Sequence, residues 1–286
     1  MTVRIVCDSA AALDSELVAL HRIAMVPMEL SIAGERISEE ELTPDQVVAR
    51  LEDGVQTSGP APGAFAEAIA AVAGPDGVVV LTVASRFSST FQAARAAAAL
   101  IGDGVPVRVV DTGTAAGGEG LVVLAAAEAA RAGAGLDQVV ARAELAGSRV
   151  RLVAAVDRLT YLVRGGRVQA SAARLGNRLG VRVLFELRRS GPRPLRPVVG
   201  AEAAFEQLLS QWRRTIVPDA ELHVAALHAL RPEEGAALLD AIGREIKPAT
   251  ALVCELGPVM LAHTGPGVVG LSWWWDDPRP AAGQLP

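Results

Sequence analysis

The 286-residue chain is 51% apolar but only 3% aromatic, and its formal net charge is −5. That length suits two modest lobes with a substantial buried core, built by necessity from Ala, Val and Leu. Positives scattered over a net-negative chain exclude the basic stripe that tracks nucleic-acid phosphates.

The first half alternates short β-branched runs with helical patterns. The strands predicted there are 3–7, 23–30, 78–84 and 107–111, each apolar on both faces, as in a parallel sheet covered by helices on both sides. Between them Phe65, Ile69 and Val72 fall on one helical face, and residues 121–133 read as an Ala-rich helix ended by Gly133. Near residue 150 the pattern changes. Strands are predicted at 151–156, 183–188, 221–229, 250–256 and 268–275, with helices near 201–215 and 232–245. The expected fold class is therefore α/β and two-lobed. An N-terminal lobe (1–150) holds a mostly parallel sheet flanked by helices, a C-terminal α+β lobe spans 151–275, and 276–286 forms a flexible tail. Of the three tryptophans in Trp273–Trp275, two are expected in the core and the third exposed or at an interface.

Cys7 and Cys254 are the only cysteines, too few for a disulfide framework and without metal-ligand spacing. His21, His223 and His228 have no acidic or cysteine partners at metal spacing either, so no metal is expected. The N-terminal apolar stretch is too short for a signal-peptide core and no 18-residue uncharged run occurs. The expectation is a cytoplasmic protein with no membrane span. No GxxxxGK[ST], GxSxG or HExxH is present, and GTAAGGEG does not match GxGxxG.

Four segments concentrate small polar residues at strand ends or helix starts: CDSA (7–10), TSGPAPG (57–63), ASRFSSTFQ (84–92) and DTGTAAGGEG (111–120). A helix N-terminus offers unpaired amides and partial positive charge, so adjacent hydroxyls complete a cradle for a carboxylate or phosphate. Thr57, Ser58, Ser88 and Ser89 are the candidate donors. The same residue types also cap helices without binding anything. Asp8 with Ser9, and Asp111, either orient these hydroxyls or serve as caps. In YLVRGGRV, Arg164 and Arg167 flank a Gly-Gly turn and suit anionic oxygens. In LAHTGPG, His263 and Thr264 are placed at a strand end before a bend.

In this order and spacing, CDSAAAL, VPMEL, TSGPAPGAF, SRFSSTFQAA, VVDTGTAAGGEG, LTYLVRGGRV and HTGPG resemble the DegV family over nearly the whole chain. The resemblance implies a long-chain fatty acid as ligand, its carboxylate held by Thr57, Ser58, Ser88 and Ser89. It implies phosphoryl-transfer support or head-group positioning by Arg167, His263 and Thr264, with Asp8, Ser9, Asp111 and Arg164 in supporting loops. It further implies a non-catalytic carrier, with no cofactor of its own, that presents the acid to a separate ATP-dependent fatty acid kinase. The chain departs from the family at Gly59, often Gln, at Ser89, usually Gly, and at Cys7, commonly Thr. Two alternatives stand beside this reading: a self-contained acyl hydrolase or transferase pairing Ser88 or Ser89 with His263, and a lipid-sensing regulatory module.

Overall fold

The predicted first-half strands assemble into a wholly parallel sheet. β1 (Arg4–Asp8), β2 (Ala24–Val26), β6 (Val78–Thr82) and β7 (Val107–Asp111) lie in the order β2-β1-β6-β7. The structure is a computed structural model that describes residues 2–166 and 180–278. β6 is buried at every residue, as its unbroken Val-Val-Val-Leu run requires. One face of this sheet packs on α3 (Pro62–Val72) and α4 (Thr90–Ile101) through Phe65, Ile69, Ala94 and Ala97. The other meets α5 (Ala116–Arg131) and α6 (Leu136–Arg149), with α1 (Ser15–His21) against α5.

Residues 23–30, expected as one strand, are two. Pro27 separates β2 from β3 (Glu29–Ile32), which pairs antiparallel with β4 (Glu35–Ser38) and β5 (Gln56–Ser58) in a three-stranded sheet. Proline has no N–H for a ladder. The next N–H, that of Met28, is bound by Ser9 Oγ at 3.0 Å and Glu39 Oε1 at 3.1 Å instead of by a strand. α2 (Pro44–Arg50) follows the three-stranded sheet's first hairpin, its start fixed by a Thr43/Gln46 capping box.

After residue 150, β8 (Arg151–Val156), β9 (Val181–Arg188), β10 (Gly191–Pro194), β11 (Val198–Val199), β12 (Leu222–His228), β13 (Thr250–Glu255) and β14 (Val269–Trp275) form a second sheet. Its order is β10-β9-β8-β14-β12-β13, with β11 added to β9. α8 (Ala201–Arg213) and α9 (Pro232–Glu245) cover one face. α5 covers the other, so this helix stands between the two large sheets. Every residue from Ala116 to Ala127 is buried, the pattern of a helix with no solvent side. It begins five residues earlier than the predicted start at 121. A Cβ on Gly117 would collide with Leu227 of β12, so close packing between sheets outweighs glycine's low helix propensity.

All three consecutive tryptophans are buried, at 1%, 1% and 7% exposure, which corrects the expectation of one exposed ring. β14 is an inner strand with both faces covered. Alternation sends Trp273 and Trp275 to the core beneath α8 and α9, and Trp274 to the core around α5. The core around α5 draws on both sides of residue 150, from Val3 to Trp274. Asp276 and Asp277, at the head of the expected tail, are ion-paired to Arg142 and Arg149 of α6 at 2.6 and 2.7 Å. Residues 279–286 lie outside the described residues.

Candidate functional site

A cavity opens between the loops at the ends of the parallel strands and the α5-facing side of the second sheet. It encloses about 970 Å3 of space, counting its open mouth. Its walls are aliphatic and aromatic: Leu152 of β8, Phe185 of β9, Leu227 of β12, Leu162 of α7 (Thr160–Arg164), with Leu256 and Val268. Its polar groups are Thr57, Ser58, Ser88, His263 and Thr264.

Thr57 and Ser58 sit on β5, not at the start of α3, whose N-cap is Ala61. The two residues face opposite ways, as neighbours on a strand must. Half-buried Thr57 places its Oγ1 2.7 Å from His263 Nε2. Ser58 is exposed and donates to Glu29 Oε2 at 3.3 Å. His263 and Thr264 end the helix α10 (Pro258–Thr264) rather than a strand. Pro258 opens that helix at a position where its missing N–H costs nothing. Thr264 Oγ1 lies 3.0 Å from Met260 O and 3.2 Å from Gly265 O, so its hydroxyl binds the helix backbone.

Ser88 Oγ is 2.7 Å from Thr90 Oγ1, and it also accepts the Thr90 N–H at 3.3 Å. Gly59 joins the two hydroxyl clusters: a Cβ there would meet Thr90 Oγ1 and stand 3.3 Å from Ser88 Oγ. The family's common glutamine would not fit in this backbone position without movement. Ser89 is exposed and outside the cavity lining, so the structure does not gather it with Thr57 and Ser88. Gly165 performs a similar service for His263, because a Cβ there would lie 2.6 Å from Nδ1.

The supporting loops divide. Asp8, fully buried, accepts the N–H of Ala10 at 3.0 Å and of Val83 at 2.8 Å, and both of those residues line the cavity. Ser9 accepts from Met28, another lining residue. Asp111 binds Ser85, at 2.6 Å through the hydroxyl, and the Gly113 N–H, away from Ser88. Arg164 is exposed and holds Leu51 O at 3.0 Å and Glu52 at 3.1 Å. Arg167 lies outside the described residues.

Two participants escaped the sequence reading as site residues: Glu39 and Glu119. Glu119 on α5 is fully buried, and burial followed by the nearby Asp8 charge raises its carboxyl well above the ordinary range. Neither of its oxygens receives a donor. Raised this far, the carboxyl can itself act as the donor of a side-chain hydrogen bond to Asp8. Burial lifts Asp8 to about 6, against the pull of its backbone donors and of Glu119. Burial also raises the Cys7 thiol well above its usual value and Cys254 to about 12, so neither offers a reactive thiolate.

Folding also assembles what the histidine spacing did not foretell. Glu221, His223 and Asp276 place ligand-type atoms within 4.8 Å of one another. Asp276 is already held by both arms of Arg142, at 2.9 and 2.6 Å. His223 stacks on Trp274 with ring centroids 4.3 Å apart. None of these residues lines the cavity, and the Arg142–Asp276 pair fastens the end of β14 to α6.

A family model described as uncharacterised proteins of the DegV family matches residues 2–275. The chain belongs to the DegV family. A DegV domain-containing protein of Streptomyces coelicolor is 37% identical over 94% of this chain and 97% of its own length. A DegV-family protein from Thermus thermophilus, described for its fatty-acid binding, superimposes with a TM-score of 0.87 at 29% identity, over 96% of this chain and all of its own. A DegV lipid-binding protein from Thermotoga maritima gives a TM-score of 0.85 at 26% identity, over 98% of this chain and 100% of its own. The DegV architecture of a parallel sheet flanked by helices and a further sheet lobe is thus shared throughout. Among the described residues no helix is long and apolar enough to cross a membrane.

Proposed function

We propose that this DegV-family chain binds a long-chain fatty acid in the cavity, its carboxylate held by Thr57, Ser88 and His263, and presents it to a separate ATP-dependent kinase. The observation that carries the reading is the cavity itself, apolar on its β8, β9 and β12 walls and provided with two adjoining hydroxyl-bearing pairs, Thr57–His263 and Ser88–Thr90. Burying a methylene is worth roughly 0.8 kcal/mol, so a 16-carbon tail gains on the order of 10 kcal/mol before association costs. The tail supplies affinity. The head-group site supplies position, because a carboxylate leaving water needs several donors.

The relatives from Thermus thermophilus and Thermotoga maritima, described as binding fatty acid or lipid, support the ligand class. The kinase step is supported by a carboxylate site in a sequence without a phosphate-binding loop. Native mass spectrometry of the purified protein, repeated after solvent extraction, tests the first part. A stoichiometric fatty acid is expected, and a protein that is empty and refuses added palmitic acid would overturn it. Incubation with a fatty acid kinase, ATP and magnesium tests the second. Acyl phosphate formed only when this chain is present is expected, and its absence would reduce the function to binding.

A further inference from the structure

Glu39 differs from the acidic residues beside it. Glu40 and Glu41 are exposed, whereas Glu39 is 7% exposed. Its two carboxyl oxygens reach different walls of the cavity: Oε1 accepts the Met28 N–H at 3.1 Å and Oε2 the Val259 N–H at 3.5 Å. Both of those residues line the cavity. Met28 leads directly into β3, whose Leu30 pairs with Thr57 on β5. Val259 lies in the first turn of α10, one turn before His263 and on the same helix face. The two elements that Glu39 joins are therefore the two that bring Thr57 and His263 together.

We propose that Glu39 is a positioning residue of the head-group site, bracing β3 against the start of α10 so that Thr57 and His263 stay at hydrogen-bond distance. The inference rests on the ligand reading given above, but the joint exists without ligand. Its charge environment is lopsided. Burial above all raises the carboxyl to about 7; the Met28 and Val259 donors lower it, and Asp8 and Glu40 raise it further. The remaining charged or titratable groups on elements packed around the joint are Glu29 on β3, Glu35 and Arg36 on β4, Glu41 beside Glu40, Asp45 and Arg50 on α2, Tyr161 and Arg164 on α7, His263 on α10 and Glu119 behind Asp8. Arg164 is engaged by Leu51 and Glu52, and among the described residues no cation pairs with Glu39.

The sign follows from these groups. A carboxyl raised in the closed joint and ordinary, near 4.5, once hydrated makes closure firmest below 4.5. Closure then weakens as pH rises to about 7 and changes no further above it. One proton released per opening means up to about tenfold more opening per pH unit inside that window.

The experiment is amide hydrogen exchange at Met28 and Val259 in the ligand-free full chain between pH 5 and 8.5, corrected for intrinsic exchange, alongside the release rate of palmitic acid. The native chain should show opening that climbs up to about tenfold per unit and flattens near pH 7, while Glu39→Gln, nearly the same size, loses that component. Palmitic acid release should follow the same profile in the native chain and lose it in the variant. Identical profiles in the two proteins would overturn the proposal. If Glu39→Gln does not fold, a native chain with no slope at Met28 and Val259 overturns it equally. A chain that shows the exchange profile but never binds palmitic acid keeps the joint and sinks the ligand reading.

Discussion

The two large sheets meet the same helix, α5, yet offer the cavity opposite chemistry. The parallel sheet contributes through its loops: Ala10 and Val83, whose amides the buried Asp8 at the end of β1 holds in place, the hydroxyl run at Ser88, and the Ala115–Ala116 entry to α5. The second sheet contributes through its strands, with Leu152 and Ala154 of β8 and Phe185 and Leu187 of β9 presenting one face of the pleat. Loops can aim backbone N–H groups and hydroxyls at a head group, whereas a sheet face offers a continuous apolar surface. A ligand with one charged end and a long apolar body needs both.

The apolar side should be the easier to break. Ala154→Phe places a ring on the β8 wall where the cavity is lined by a methyl group. Excluding four methylenes at ~0.8 kcal/mol each predicts about a hundredfold or greater loss in palmitic acid affinity. Calorimetric titration checks this, and a thermal midpoint close to the native one would separate blockage from overpacking. Unchanged affinity would mean that the tail does not lie along β8. Gly165→Val should come next, because its Cβ must displace His263, 2.6 Å away. An overpacking cost of about 1–3 kcal/mol should appear in stability, with a displaced His263 ring in the bound structure.

On the polar side, Thr57→Val keeps the shape of the residue and removes the hydroxyl that lies 2.7 Å from His263. Losing one charge-assisted hydrogen bond predicts a loss of ~1.5–3 kcal/mol, roughly ten- to a hundredfold in affinity. Ser88→Ala, whose hydroxyl is shared with Thr90, should have an effect in the same range or smaller. If neither variant changes affinity or the carboxylate's position, the hydroxyl pairs do not hold the head group, and the polar side of the comparison fails while the apolar side stands.

Continuous apolar runs such as Val78–Thr82 and Arg151–Val156 carried the sheets in plain view, because burial on both faces leaves an unbroken apolar signature. The hydroxyl segments were legible too, and Thr57, Ser88 and His263 do converge on one cavity. What the sequence concealed were the effects of contact at long range. Pro27 redirects the chain into a second small sheet, so Thr57 arrives on a strand instead of at a helix end. Glu39 looks identical to Glu40 and Glu41 until folding buries it. A lone acid in Ala-Gly-Gly-Glu-Gly was a readable signal for Glu119, since a charge seldom enters a run of small apolar residues unless something answers it.

That acid supplies the subtlest test of how the polar side is held. Asp8 and Glu119 both have carboxyls raised by burial, so their contribution to stability is present below the ordinary carboxylate range and is lost as pH climbs above it, through about 6 for Asp8. Glu119→Gln keeps a donor for the Asp8 carboxylate but removes one titrating proton from the pair. The variant should therefore match the native thermal midpoint near the ordinary carboxylate range and decline less steeply above it. Thermal unfolding measured from pH 5 to 9 reads the difference in slope. Parallel curves would mean that Glu119 binds its proton equally in the folded and unfolded chain, so that the slope belongs to Asp8 and Glu39 alone. A lower midpoint for the variant at every pH would instead show that the carboxyl's hydrogen bond to Asp8, and not its proton balance, is what fixes the Ala10 and Val83 amides along the cavity wall.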